Sequence, residues 1–262
     1  MGETQQNNCY AELLGISSCS SSRSFVSATQ SNFCSRSPEL RPSGFTLAEV
    51  LITLVIIGVI AAITVPTMMN NKRNEELRAG LLKAQSTLAG ALEMYYAKNG
   101  VRLLPQDCYT RGSLKDKLMP YISTIKDCDL YNCITKQANN NRESDVYRNF
   151  NNTAGARTTY FDDGQFIMND GMMVLIENPE GSDSIFISVD VNGYKKKPNK
   201  SGHDLFMFQL NNKGHFKPMG VQGTYYYSET NNYCSPTSTG TSNGFGCTAK
   251  ALSDPDYFKH LH

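Results

Sequence analysis

Apolar side chains follow three different patterns along this chain. From Phe45 to Met69 the sequence FTLAEVLITLVIIGVIAAITVPTMM is apolar on every side and carries one charge, Glu49. As a helix this stretch extends about 37 Å at 1.5 Å per residue, enough to cross a hydrocarbon core about 30 Å thick. Beyond Met69 the apolar positions narrow to a stripe. Leu77, Leu81, Ala84, Leu88, Ala91, Leu92 and Tyr95 recur at steps of three and four, the signature of one helix face. Lys72, Arg73, Glu75, Glu76 and Arg78 are the solvated complement, and Asn99-Gly100 is a C-terminal stop. A single helix over about 45–98 is expected.

The third pattern is short and β-rich. TTYF, QFIMN, MMVLIE, SIFISVD and LFMFQL follow one another from Thr158, with Asp163-Gly164 and Asp170-Gly171 read as hairpin turns. Consecutive hairpins predict an antiparallel sheet with the helix packed on one face, an α+β architecture. Residues 100–155 read as polar and loop-like, with a short helix at Leu114–Ile122 and an exposed Asn-rich loop over 139–152.

Composition adds exclusions. With 25 Lys+Arg against 24 Asp+Glu in 262 residues, the chain lacks the basic excess of a nucleic-acid-coating protein, and no specific nucleic-acid partner is expected. Hydrophobic residues at 40% exclude a multi-span membrane protein. Of the four His, none lies in a metalloprotease or nucleophile-elbow context, and no phosphate-cradling Gly loop is present, so catalysis is not expected.

The apolar run fits a secretory signal poorly, because its core is too long and begins too late in the chain. A plain single-span anchor accounts for its length but not for Glu49. A carboxylate within a span costs about 2.5–3.5 kcal/mol on insertion scales and is functional by default. Gly44-Phe45-Thr46-Leu47-Ala48-Glu49, followed by the long apolar helix, resembles the prepilin cleavage and methylation motif of type IV pilins and type II secretion pseudopilins. The resemblance implies a pilin-like fold and cleavage by prepilin peptidase between Gly44 and Phe45. It also implies N-methylation of Phe45 and assembly with like subunits on an inner-membrane platform. Glu49 is then the carboxylate that neutralises the Phe45 amine of a neighbouring subunit, a register device in a low-dielectric filament core. Pro66 lies inside the helical run, where it should kink the helix.

On this reading residues 1–44 are a cleaved leader, 45–99 the helix with its transmembrane part at 45–69, and 100–262 a periplasmic or extracellular head. The leader departs from the family pattern. It is Ser-rich, its three Arg cancel its three Glu, and it carries Cys9, Cys19 and Cys34. A start assigned too far upstream and a leader that is simply long are both compatible with it. The family leaves two roles open, a short secretion pseudopilus and a surface type IV pilus. A different class, a single-span anchored ectodomain that binds a partner without polymerising, is the alternative.

No cofactor is certain. The segment Asp190-Val-Asn192-Gly193 to Pro198-Asn199 and Gly202-His-Asp204 offers oxygen ligands on a glycine-bearing loop, which suits Ca²⁺. Its spacing is not that of an EF-hand, Lys195–Lys197 oppose a cation, and a turn held by side-chain-to-backbone bonds explains the same residues. It resembles a loop of bacterial pilin-like proteins, whose major pseudopilins bind Ca²⁺ at a similar point. That resemblance keeps Asp190, Asn192, Asn199 and Asp204 as candidate ligands. An exported head meets oxidising conditions. Cys234 and Cys247 enclose a Ser/Thr/Gly-rich loop, and a bridge between them is expected, as pilins commonly have. Cys108 is assigned to Cys128, with Cys133 the other partner open to it.

Overall fold

The computed structural model describes residues 44–134, 143–230 and 232–261. The chain divides into two units, Met1–Leu51 and Ile52–His262. Within the first, the described residues begin at Gly44 and enter the helix α1 (Leu47–Asn99). Thr46 sits just before the helix and Glu49 in its first turn. Glu49 Oε2 accepts from the Thr46 backbone N–H and hydroxyl, both at 2.8 Å, and the Thr46 hydroxyl accepts from the Glu49 N–H at 3.2 Å. This reciprocal capping box satisfies donors that the helix start leaves open.

In the second unit α1 changes character along its length. Ile52 to Met69 leave their large apolar side chains exposed, while Leu77, Leu81, Ala84, Leu88, Ala91 and Leu92 are buried. The helix runs unbroken through Pro66, whose ring removes one backbone donor. On either side of it the Thr64 and Thr67 hydroxyls bond back to the carbonyls of Ile60 and Ile63. Such back-bonding is a bending influence on a helix.

The buried stripe of α1 rests on a six-stranded antiparallel sheet. Its strands are β1 (Thr124–Asp127), β4 (Gly164–Met168), β5 (Met173–Glu177), β6 (Ser184–Asp190), β7 (Leu205–Asn211) and β8 (Phe216–Pro218), adjacent in that order. Strand alternation divides their side chains between two cores. Val174, Ile176, Ile185, Ile187, Val189, Phe206, Phe208 and Leu210 join the α1 stripe. Met173, Leu175, Phe186, Leu205 and Met207 face the other way, onto Tyr147, Phe161, Met219, Tyr226 and Phe245. The pairings Val174↔Val189 and Ile187↔Phe208 keep like faces together across β5, β6 and β7. A small hairpin, β2 (Glu143–Arg148) with β3 (Gly155–Arg157), belongs to the second layer, as do Tyr226 and Phe245 from the C-terminal region. Two short helices, α2 (Ser113–Leu118) and α3 (Thr248–Ser253), add Leu114, Leu118 and Ala251 to the helix-side core.

The fold is the expected α+β, pilin-like arrangement of a long N-terminal helix on an antiparallel sheet. Several local expectations change. Thr158–Tyr160 is a tight 3₁₀ turn, and the TTYF run turns inward to bury Phe161 and most of Tyr160. Asp170-Gly171 does join two strands, whereas Gly164 opens β4 and the Asp163 carboxylate accepts from the Asn178 N–H just after β5. Part of the Asn-rich stretch is strand β2, held by the buried ring of Tyr147, while 139–142 lie outside the described residues. The short helix ends at Leu118, because Pro120 and the following turn close it.

Candidate functional site

Two groups of residues carry the expected chemistry. The first is the N-terminal segment. Gly44 precedes α1 in non-helical backbone, and Phe45 is 87% exposed beside the capping pair of Thr46 and Glu49. Within the second unit, the exposed side chains of Leu54, Ile56, Ile57, Ile60 and Ile63 form an apolar surface on all sides of α1. Among the described residues α1 is the one helix long and apolar enough to cross a membrane.

The second group is the connection from β6 to β7. Asp190 ends β6 fully buried. Its Oδ1 accepts from the N–H groups of Asn192 (3.2 Å) and Gly193 (2.9 Å), and its Oδ2 from the Tyr147 hydroxyl at 2.9 Å. Asp204, also fully buried, accepts from the N–H groups of Asn199 (2.8 Å) and Lys200 (2.7 Å). The two carboxylates thus pin both ends of the loop by Asx-type bonds. Burial raises the Asp190 carboxyl to about 8, with the nearby charge of Asp204 adding to the rise. Burial also raises Asp204 to about 6, against the opposing pull of its hydrogen bonds from Lys200, Asn199 and Asn192.

Two amide oxygens of the same loop, Asn192 Oδ1 and Asn199 Oδ1, are buried with no hydrogen-bond partner. Asn199 takes a left-handed backbone at φ 54°, which aims its Nδ2 at the Tyr194 carbonyl. Gly202 is required at φ 79°, where a Cβ would stand 2.8 Å from both Cys247 Sγ and the Phe150 ring. The loop is therefore built into the head. Arg148 of β2 exchanges backbone bonds with Asn199 and Ser201, and the Tyr257 hydroxyl donates to the Gly202 carbonyl at 2.6 Å. Lys195, Lys196 and Lys197 are exposed at its tip. The four candidate ligands lie together, and their donor set of two carboxylates and two unpartnered amide oxygens suits a hard cation.

A second acidic group was not visible in the sequence, because its members are 15 residues apart on a loop and a strand end. Carboxylate oxygens of Asp162, Asp163 and Glu177 lie within 4.8 Å of one another, a set able to hold a cation. Arg111 already pairs with both aspartates. Burial, with Asp163 and Asp162 alongside, raises Glu177 to about 9.

The cysteine pairing needs one correction. Cys234 is bonded to Cys247, and Cys128 is bonded to Cys133 rather than to Cys108. Cys108 is free and buried in the helix-side core, while Cys128 packs in the opposite layer, so the sheet separates them. Burial pushes the Cys108 thiol up, which makes it a poor nucleophile.

Residues 41–65 match the family model described as the prokaryotic N-terminal methylation motif. The chain is 41% identical over 59 residues to the type II secretion system core protein G of Klebsiella pneumoniae. It is 39% identical over 59 residues to that of Aeromonas hydrophila and 38% over 58 residues to that of Pseudomonas aeruginosa. Each match covers 22% of this chain and 41%, 41% and 39% of the respective relative. The chain therefore spans about two fifths of the length of the curated relatives it matches. No solved structure matches it.

Proposed function

We propose that this chain, whose N-terminal segment is similar to that of the type IV pilin and pseudopilin family, is a structural subunit of a filament serving type II secretion. That family consists of structural subunits, not enzymes. The observation that carries the proposal is the coincidence, in one register, of the methylation motif at 41–65 with an apolar helical surface from Ile52 to Met69 that is left exposed among the described residues. The relatives, type II secretion system core G proteins, favour secretion over a surface pilus.

In this reading residues 1–44 are a leader, 45–99 the helix with its membrane part at 45–69, and 100–262 the exported head. The chain enters the inner membrane through 45–69 with the head on the periplasmic side, an oxidising compartment consistent with two disulfides. Prepilin peptidase cuts between Gly44 and Phe45, and Phe45 is N-methylated. The new amine lies next to Thr46, whose N–H and hydroxyl occupy Glu49 in the uncut chain. Glu49 then pairs with the Phe45 amine of a neighbouring copy. In a low-dielectric helix core that pair penalises any copy out of register. An assembly platform in the inner membrane would supply the work of extraction.

Asp190, Asn192, Asn199 and Asp204 are proposed to hold a calcium ion, which would supply positive charge between the two carboxylates and a partner for both amide oxygens. The head would then be tightened at the junction of β2, β6 and β7.

Mass spectrometry of the chain co-expressed with a prepilin peptidase tests the central step. The expected product begins at N-methyl-Phe45. An intact N-terminus in the membrane fraction would overturn the reading and leave a static anchored ectodomain in its place.

A further inference from the structure

We propose that the head carries a basic collar that docks on the anionic phospholipid headgroups of the leaflet from which α1 emerges. The proposal rests on the reading of 45–69 as a membrane span. The last apolar residue of the run is Met69, followed by Asn70, Asn71, Lys72 and Arg73. At 1.5 Å per residue, Arg73 stands about 6 Å beyond Met69 along the helix. The headgroup layer of one leaflet is about 5–8 Å deep, given a core of about 30 Å within a bilayer of about 40–45 Å. Arg73 therefore lies at headgroup depth.

The head brings further cations to that level. Arg73 Nη2 donates to the Lys197 carbonyl at 2.6 Å, which holds the exposed tip Lys195-Lys196-Lys197 beside the emerging helix. Lys200 and Lys259 line a groove of about 620 Å³ together with Asn70, Asn74, Pro198 and Leu261. Carboxylates at this end offset part of the charge. Glu76 lies 3.8 Å from Lys72, Asp256 lies 2.8 Å from Lys259, and Glu75 is exposed. Arg73, Lys195, Lys196, Lys197 and Lys200 leave a clear excess of positive charge around the groove. Amide side chains of Asn70 and Asn74 add donors suited to phosphate oxygens. The charge excess and the depth favour an anionic lipid surface, since polybasic segments next to a span gain most from such lipids within a Debye length. While the subunit waits in the membrane, the collar fixes the head against the surface, and assembly has to release it.

The test uses the full chain at one copy per lipid nanodisc, with carbonate-resistant insertion checked first. Modification of lysines by a water-soluble acylating reagent is mapped by mass spectrometry. Lys213, exposed in the turn between β7 and β8, serves as the internal reference. Gly214 beside it packs on Arg102, past the opposite end of α1. In discs containing phosphatidylglycerol, Lys195–Lys197 should react about five-fold or more slowly than in phosphatidylcholine discs, with Lys213 unchanged. The protection should vanish in 1 M salt. A chain with Lys195→Gln, Lys196→Gln and Lys197→Gln should retain less phosphatidylglycerol in native mass spectrometry. Equal rates in the two lipids, from inserted chain, would overturn the collar alone. Protection that requires two copies per disc, in either lipid, would also overturn it and make the patch an interface between copies. Failure to insert would overturn the membrane reading as well.

Discussion

Two stretches of α1 are both rich in aliphatic side chains and have opposite surroundings. Ile52–Met69 and Leu77–Leu92 are both rich in aliphatic residues, yet Leu54 is 60% exposed where Leu88 is fully buried. The difference lies in what the chain itself provides. The later stretch sets Leu77, Leu81, Ala84, Leu88, Ala91 and Leu92 on one face, which the sheet covers with Ile187, Phe206 and Phe208. The earlier stretch is apolar all round, so no single sheet could cover it; under the proposed function, lipid or other copies complete it. The head is finished by its own sequence, and the first stretch is not.

Substitution of a leucine in each of the two stretches should separate them most strongly. Leu88→Ala should cost the head about 3–5 kcal/mol in denaturant unfolding of the detergent-solubilised chain. Leu54→Ala should change the same transition by less than about 0.5 kcal/mol. Equal losses would mean that the first stretch also packs within the folded chain.

The finished character of the head can be sharpened by asking whether it needs an ion. If the loop from Asp190 to Asp204 holds calcium, adding the ion at about 100 times its Kd should stabilise by about 2.7 kcal/mol. Chelator should reverse the effect, and Asp204→Asn should abolish it. An unchanged Tm would leave the loop as a purely hydrogen-bonded junction, with its aspartates serving only backbone donors.

A further expected effect concerns pH. Glu177 is raised from 4.5 to about 9 by burial and by Asp163 and Asp162, so the folded head binds its proton more tightly than the unfolded chain does. Its contribution is therefore most favourable at low pH and is lost as pH rises from about 5 to 9. Arg111, paired with both aspartates, moderates the loss. Glu177→Gln should flatten the decline in Tm over that range, and an unaltered slope would assign it to other groups.

The legible parts of the fold were those with one dominant period. The α1 stripe and strands β4 to β7 stand out because each repeats over several residues. The second core layer was hidden, although MMVLIE and LFMFQL carried its signal. Runs apolar at successive positions mean burial on both faces, not one. Strands β1 and β2 read as loop because their length is short and their composition polar, and Tyr147 becomes a core residue through tertiary contacts, its ring edge-on to Phe161 and its hydroxyl bonded to Asp190. The cysteine pairing could not be read from spacing, since the sheet that separates Cys108 from Cys128 is a tertiary fact. At the candidate sites, Asp190, Asn192, Asn199 and Asp204 were visible as a turn-rich cluster. The trio of Asp162, Asp163 and Glu177 forms only when β5 returns beside the loop before β4.

The most direct measurement of the central claim is filament yield. Wild-type chain and Glu49→Ala, each expressed with the peptidase and the assembly platform, would be compared in the sheared fraction by electron microscopy and immunoblotting. Both should begin at methylated Phe45 in the membrane fraction. Filaments should be abundant for wild type and at least ten-fold fewer for Glu49→Ala. Wild-type filament yield from the variant would contradict the account, because the apolar stretch would then assemble without the one charge that sets its register.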